Sequence, residues 1–165
     1  MNGLVVVDSS FWINFSRRAV SETEALFVED AMREERAVMS QLVWLELVVG
    51  FRSPTERNLI HDIRSVCKWE PLTEADGMAA EQTAVSLSAK GGYLGASDLL
   101  VVAVARRLGA KLLHHDEDFT RVLKLPDFAA LRLNSFSETR SPARASPGES
   151  RPGIRRWSSR PRDSR

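Results

Sequence analysis

At 165 residues and 43% hydrophobic content the chain has the size of one globular domain, with enough apolar residues to cover a sheet with helices. A single cysteine, Cys67, excludes an internal disulfide. No run approaches the roughly 18 apolar residues of a spanning helix, and the N-terminus lacks a basic segment leading into a long apolar run, so a soluble, cytoplasmic protein with no membrane contact is expected.

The formal charge of +1 is unevenly spread. Eight Arg and three acids lie between Ser137 and Arg165, a net of +5, which leaves residues 1–136 at −4. That terminal stretch also holds four of the seven prolines and seven serines, and almost nothing aliphatic, so it cannot bury enough surface to offset its conformational entropy. The expectation is a folded domain over 1–136 and a disordered Arg/Ser/Pro-rich tail over 137–165. Such a tail can touch nucleic-acid phosphates, but a solvated linker is its commoner role.

In chain order, Leu4–Val7 is a short β-favouring run ended by Asp8, after which Ser9 and Ser10 can cap a helix beginning at Phe11. Residues Glu22–Glu35 mix apolar and charged positions as a surface helix does. Ala37–Met39 reads as a strand, and Ser40 caps Gln41–Phe51, which is apolar nearly all round and is expected to be a buried helix. Pro54 opens a helix to about Val66, and Lys68–Leu72 is a third strand. Thr73 opens another helix with a capping signature, stopped by Gly91-Gly92. Ser97 is expected to cap the apolar helix Asp98–Leu108. Lys111–Leu113 is then a strand, Glu117–Leu123 a short helix and Ala130–Leu133 a last strand. Strands separated by helices require crossovers, hence a short parallel sheet flanked by helices on both faces, an α/β fold.

Ligands of open parallel sheets sit beyond the strands' carboxyl ends. Asp8 and Asp116 follow two of the strands there, and Asp98 opens a helix that packs back toward the same rim. Glu46 lies in Leu42–Val49 with no basic residue within a helical turn, and a buried, unpaired carboxylate costs several kcal/mol unless compensated. Each acid alone has an ordinary reading: a helix cap for Asp8 or Asp98, a solvated turn for Asp116 and Asp118, a distant ion pair for Glu46. Together at one rim they repel by roughly 4 kcal/mol per 4 Å pair at an effective dielectric near 20, which a cation relieves. Hard oxygen donors without a Cys or His cluster point to Mg²⁺ or Mn²⁺.

Four segments carry a family resemblance. They are Val6-Val7-Asp8-Ser9-Ser10-Phe11-Trp12-Ile13, Trp44-Leu45-Glu46-Leu47-Val48-Val49-Gly50, Ser97-Asp98-Leu99-Leu100 through Ala105, and Leu112-Leu113-His114-His115-Asp116-Glu117-Asp118-Phe119. In this order and spacing, over about residues 3–133, they resemble the PIN domain family, and within it the VapC toxins of type II toxin–antitoxin systems. The resemblance implies a PIN-like fold and endonucleolytic cleavage of RNA. It also implies a Mg²⁺ or Mn²⁺ site made by Asp8, Glu46, Asp98 and Asp116, with Asp118 as a further ligand. Implied partners are the RNA, a cognate antitoxin reaching into the groove, and a second copy in a homodimer, for which Phe15 and Phe27 are candidate contacts. His114 departs from the family pattern, standing where Thr or Ser is usual. His114 or His115 could shuttle protons, and Arg17, Arg18 and Arg52 could bind phosphates, though packing and solvation are the commoner roles. Two other readings stay within the family: a nuclease of RNA maturation, and a catalytically silent binding module. A phosphorylatable receiver domain is disfavoured, because Asp8 is followed by two serines and Lys111 precedes its strand.

Overall fold

The computed structural model describes residues 3–133. The expected tail, 137–165, lies outside the described residues. Four strands, β1 (Val5–Val7), β2 (Ala37–Ser40), β3 (Lys68–Glu70) and β4 (Lys111–Leu113), form one parallel sheet in the order β3-β2-β1-β4. All of β1 and β2 is buried. Successive strand side chains point to opposite faces, so both faces of the central strands are covered, and the α/β expectation is met.

Helices α1 (Ser9–Ser16), α2 (Glu22–Arg33), α3 (Gln41–Gly50), α4 (Pro54–Val66), α5 (Glu74–Ala89), α6 (Ala96–Arg107) and α7 (Glu117–Val122) provide that cover. Their starts follow local chemistry. Ser21 with Glu24, and Thr73 with Asp76, form reciprocal capping boxes. Ser40 caps α3 and Ser53 caps α4, with Pro54 at the first helical position. Phe11, Trp12, Val28, Met39, Ile60, Leu87, Leu112 and Phe119 are among the largest side chains fully inside.

Several local expectations are corrected. Helix α1 includes both serines, and its cap is Asp8 itself, accepting the Ser10 N–H. Helix α6 begins at Ala96 with Gly95 at the cap position and no side-chain cap bond, so Ser97 lies inside the first turn. Ala130–Leu133 is not a strand. Pro126 opens a 3-10 helix over Pro126–Leu131 that buries Phe128 and Leu131, and an apolar run this short does not distinguish the two states. The Lys111 ammonium donates to the Ala130 carbonyl at 2.8 Å, tying this segment to β4.

Helix α3 is not a buried helix either. It packs on α1, α6 and β2 through Val43 and Leu47, while Leu45, Val48 and Val49 are 50%, 43% and 88% exposed. Hydrophobicity all round shows that burial is favourable, but not that neighbours exist on every side. Of the two phenylalanines that the sequence leaves open between interface and core, Phe15 is buried on Phe11 and Trp12, and Phe27 packs partly buried against the core.

Candidate active site

Strand order places the site. The chain steps from β1 to β2 to β3 in one direction and then returns to lay β4 on the other side of β1. The crevice between β1 and β4 is therefore the topological switch point, where open α/β sheets bind ligands. Val7 pairs with Leu113, and the Asp8 amide donates to the Leu113 carbonyl at 2.9 Å. Asp8 and the loop carrying Asp116 thus leave the sheet side by side.

Asp8 is 3% exposed, and its Oδ2 accepts both the amide and the hydroxyl of Ser10, at 2.9 and 2.5 Å. Burial raises its pKa above the ordinary 3.8, against the lowering by those bonds, and the charge of Asp116 adds to the rise. Asp116 caps α7 by accepting the Asp118 amide. The two acids that follow strands are therefore helix caps as well as rim carboxylates. Capping fixes their orientation.

Asp98 lies in the first turn of α6, where a helix dipole favours a charged carboxylate. Its pKa is nevertheless pushed up to about 6, first by burial and then by the charges of Asp8, Asp116, Glu46 and Asp118, in that order. All five acids named from the sequence therefore share one electrostatic neighbourhood. Gly95 allows this placement, because a Cβ there would stand 3.2 Å from Asp98 Oδ2.

Two of the five differ from expectation in their surroundings. Glu46 is partly exposed on α3, so full desolvation does not apply to it. Asp118 is engaged at the surface by the Arg121 guanidinium. Among the described residues, no group of three or more Asp, Glu, His or Cys side chains stands close enough as placed to hold a metal ion. The donor set still has the chemistry of a hard divalent cation site: oxygen donors only, with mutual repulsion that positive charge would relieve.

The two histidines part company. His115 Nε2 donates to Glu24 Oε1 at 2.9 Å, and its Nδ1 accepts from the Asn14 amide at 2.9 Å. Its backbone N–H donates to Ser10 Oγ at 3.0 Å, so it is a structural tie among α1, α2 and the loop after β4. Burial works against the Glu24 charge, but hydrogen bonds from Ser21 and His115 hold its pKa below the ordinary range. His114 packs on Phe119, its Nδ1 is buried without a hydrogen-bond partner, and burial pulls its pKa down to about 4. Among the arginines named earlier, Arg17 pairs with Glu56 at 3.4 Å, whose other oxygen accepts the Arg52 amide. Ser10, Asn14, Glu24 and Gly95 were not singled out for the site from the sequence. Only Ser10 and Gly95 carried a local signal, by lying within three residues of Asp8 and Asp98 respectively. The one cysteine, Cys67, is buried, which pushes its thiol up to about 12 and leaves it unreactive.

The PIN domain family profile matches residues 5–125. Among solved structures the chain is similar to VapBC2 from Rickettsia felis bound to a DNA fragment from its promoter, with a TM-score of 0.61 and 17% identity over 74% of this chain and 95% of that one. It is similar as well to DNA-bound VapBC from Salmonella typhimurium, with a TM-score of 0.61 and 16% identity over 73% and 92%. VapBC-1 from nontypeable Haemophilus influenzae gives 0.58 and 24% over 74% and 94%. At such identities the likeness is one of fold. No curated protein sequence matches the chain. No helix among the described residues is long and apolar enough to cross a membrane. With the profile spanning the chain from β1 through α7 and the 3-2-1-4 parallel sheet gathering its acids at the switch point, this chain belongs to the PIN domain family.

Proposed function

We propose that the chain is a Mg²⁺- or Mn²⁺-dependent endoribonuclease, the toxin of a toxin–antitoxin pair, with Asp8, Glu46, Asp98 and Asp116 as its catalytic and metal-binding residues and Asp118 as a further ligand. The observation that carries this reading is that Asp8 and the loop of Asp116 leave the sheet side by side at the β1–β4 switch point, where Asp98 has its pKa raised by burial and then by the charges of the other four acids. A charge cluster held at the switch point is costly to the metal-free fold and useful to a cation site. A bound divalent ion supplies Lewis-acid stabilisation of phosphate charge and activates water. The chain's own residues prepare the place. Ser10 and the α1 N-terminus orient Asp8, the α7 cap orients Asp116, and Gly95 leaves room for Asp98.

The partners follow from the same reading. The chains of similar fold belong to VapBC complexes, which supports a cognate antitoxin as partner. The exposed Leu45, Val48 and Val49 of α3, with Met78 and Val85 of α5, offer apolar surface for a homodimer.

Purified protein incubated with a total RNA pool should cut it in Mg²⁺ or Mn²⁺ and stop when the metal is chelated. Cleavage that persists after full chelation would overturn the metal reading. Absence of cutting with either ion would favour a silent binding module. Cells expressing the protein, with cleaved ends mapped, identify the RNA, and a short antitoxin gene immediately upstream distinguishes a toxin from a maturation nuclease.

A further inference from the structure

Away from the acids, the outer side of α4 and the edge of the sheet carry an aromatic and cationic cluster that the site does not use. Arg57, His61 and Arg64 are spaced i, i+4, i+7 and so lie along one face of α4. The Arg64 guanidinium sits 3.9 Å from the centre of the Trp69 ring and 5.8 Å from that of Trp44. Trp44 also meets His61 edge-on at 4.9 Å and Phe51 at 6.4 Å. Trp69 belongs to β3, the sheet's edge strand, and is 37% exposed, and His61 and Arg57 are exposed as well.

Flat rings and arginines together form a surface on which unpaired bases stack: the Arg64 guanidinium lies over one face of Trp69, Trp44 packs partly buried behind it, and the exposed part of the Trp69 ring and the arginines remain for a base and its phosphate. Position supports that occupant. Strand β3 lies two strand spacings from β1, about 10 Å, and Trp69 is one residue from the strand's carboxyl end, the rim that carries Asp8. That span is on the order of three stacked bases.

We propose that Trp69 and Arg64, flanked by Trp44, His61 and Arg57, form a stacking platform for unpaired nucleobases of the RNA beside the scissile site. The proposal rests on the nuclease reading for its substrate class and adds to it a base-stacking subsite on β3 and α4.

The test uses the full chain in chelator, so that nothing is cut, with a fluorescein-labelled ten-nucleotide oligouridylate and an RNA duplex of equal length, read by fluorescence anisotropy. Trp69→Ala should weaken oligouridylate binding about tenfold. Trp69→Phe should keep most of the affinity, Arg64→Gln should lose part of it, and duplex binding should be the same for wild type and Trp69→Ala. Trp69→Leu preserves an apolar cover without a π face, so it decides the matter if Trp69→Ala unfolds: it should bind as weakly as the alanine variant was expected to. The proposal is overturned by an unchanged oligouridylate affinity in Trp69→Leu, by an equal loss on the duplex, or by wild type not binding the oligonucleotide. Unchanged affinity with altered self-association would also overturn it, marking a protein contact. Metal-dependent cleavage of total RNA is scored separately, so a failed platform leaves the nuclease reading standing, and a Trp69-dependent affinity without cleavage sinks only the nuclease.

Discussion

Ser10 holds Asp8 twice through one oxygen, Oδ2, from its amide at 2.9 Å and from its hydroxyl at 2.5 Å, and the same hydroxyl accepts the His115 N–H at 3.0 Å. One serine therefore couples the acid after β1 to the loop that carries the acid after β4. Ser10→Ala keeps the amide bond but strands the His115 N–H and frees the Asp8 carboxylate to turn. The expected result is a fall in kcat of about tenfold with KM little changed and a stability loss of about 1 kcal/mol. Ser10→Thr, which retains the hydroxyl, should recover most of the rate. Equal losses in both variants would mean that volume, and not the hydroxyl, is what matters.

Asp8→Asn tests whether the buried carboxylate belongs to a shared cation site. Asparagine caps a helix about as well as aspartate, and it removes a charge whose pKa burial and Asp116 have raised. In chelator the variant should melt at a higher temperature than wild type, by an amount reflecting on the order of 1 kcal/mol. Excess Mg²⁺ should shrink or reverse the difference by stabilising wild type through mass action, and cleavage should be lost. A difference indifferent to Mg²⁺ would reduce Asp8 to a cap.

The pH dependence of stability should expose two opposed groups. Asp98 titrates at about 6 in the fold against an ordinary 3.8, so between those values the folded chain binds the extra proton and stability falls as pH rises; the raised Asp8 acts in the same direction. His114 titrates at about 4 against 6.5, so the unfolded chain binds the extra proton and stability rises with pH through nearly the same window. Denaturant unfolding of the metal-free wild type should show stability falling as pH rises from about 4.5 to 6, because the two raised acids outweigh His114, while in Asp98→Asn the Asp8 and His114 contributions oppose one another and the curve should be nearly flat. A variant curve that falls as steeply as wild type would show that Asp98 does not hold an extra proton in the fold.

Arg107 at the C-terminal end of α6 donates from Nε to Asp76 Oδ1 at 2.8 Å and from a terminal nitrogen to Oδ2 at 3.0 Å, and also reaches Glu70 at 2.6 Å. Asp76 is 1% exposed, and although burial opposes its charge, the Arg107 and Thr73 hydrogen bonds hold its pKa below the ordinary range. Arg107→Ala leaves that carboxylate buried and short of its partner, at a cost of about 3 kcal/mol. Chemical denaturation should show the loss, and metal-dependent cleavage by the remaining folded protein should be near wild type, because Arg107 is engaged with Asp76 and Glu70 and not with the site acids.

The chain's local chemistry determined much of this molecule before any contact was known. Asp8 ends β1 and Asp116 shortly follows β4 by covalent adjacency; Ser40 and Thr73 set their helix starts by accepting amides three residues on, and Pro54 sets its own through its fixed φ at the first helical position. Composition and alternation were enough for a parallel sheet covered on both faces. Only the tertiary structure decided that β4 lies against β1, which makes the crevice between them the switch point, and that Asp98 feels four other carboxylates. It also decided that apolar α3 has neighbours along one stripe, leaving Glu46 partly exposed, and that His115 meets Asn14 and Glu24 across sequence separations of 101 and 91 residues. A hydrophobic pattern reports what a side chain would gain from burial. Which surface is present to bury it, and which charges share the space, depends on strand order and helix packing, and these are properties of the whole chain.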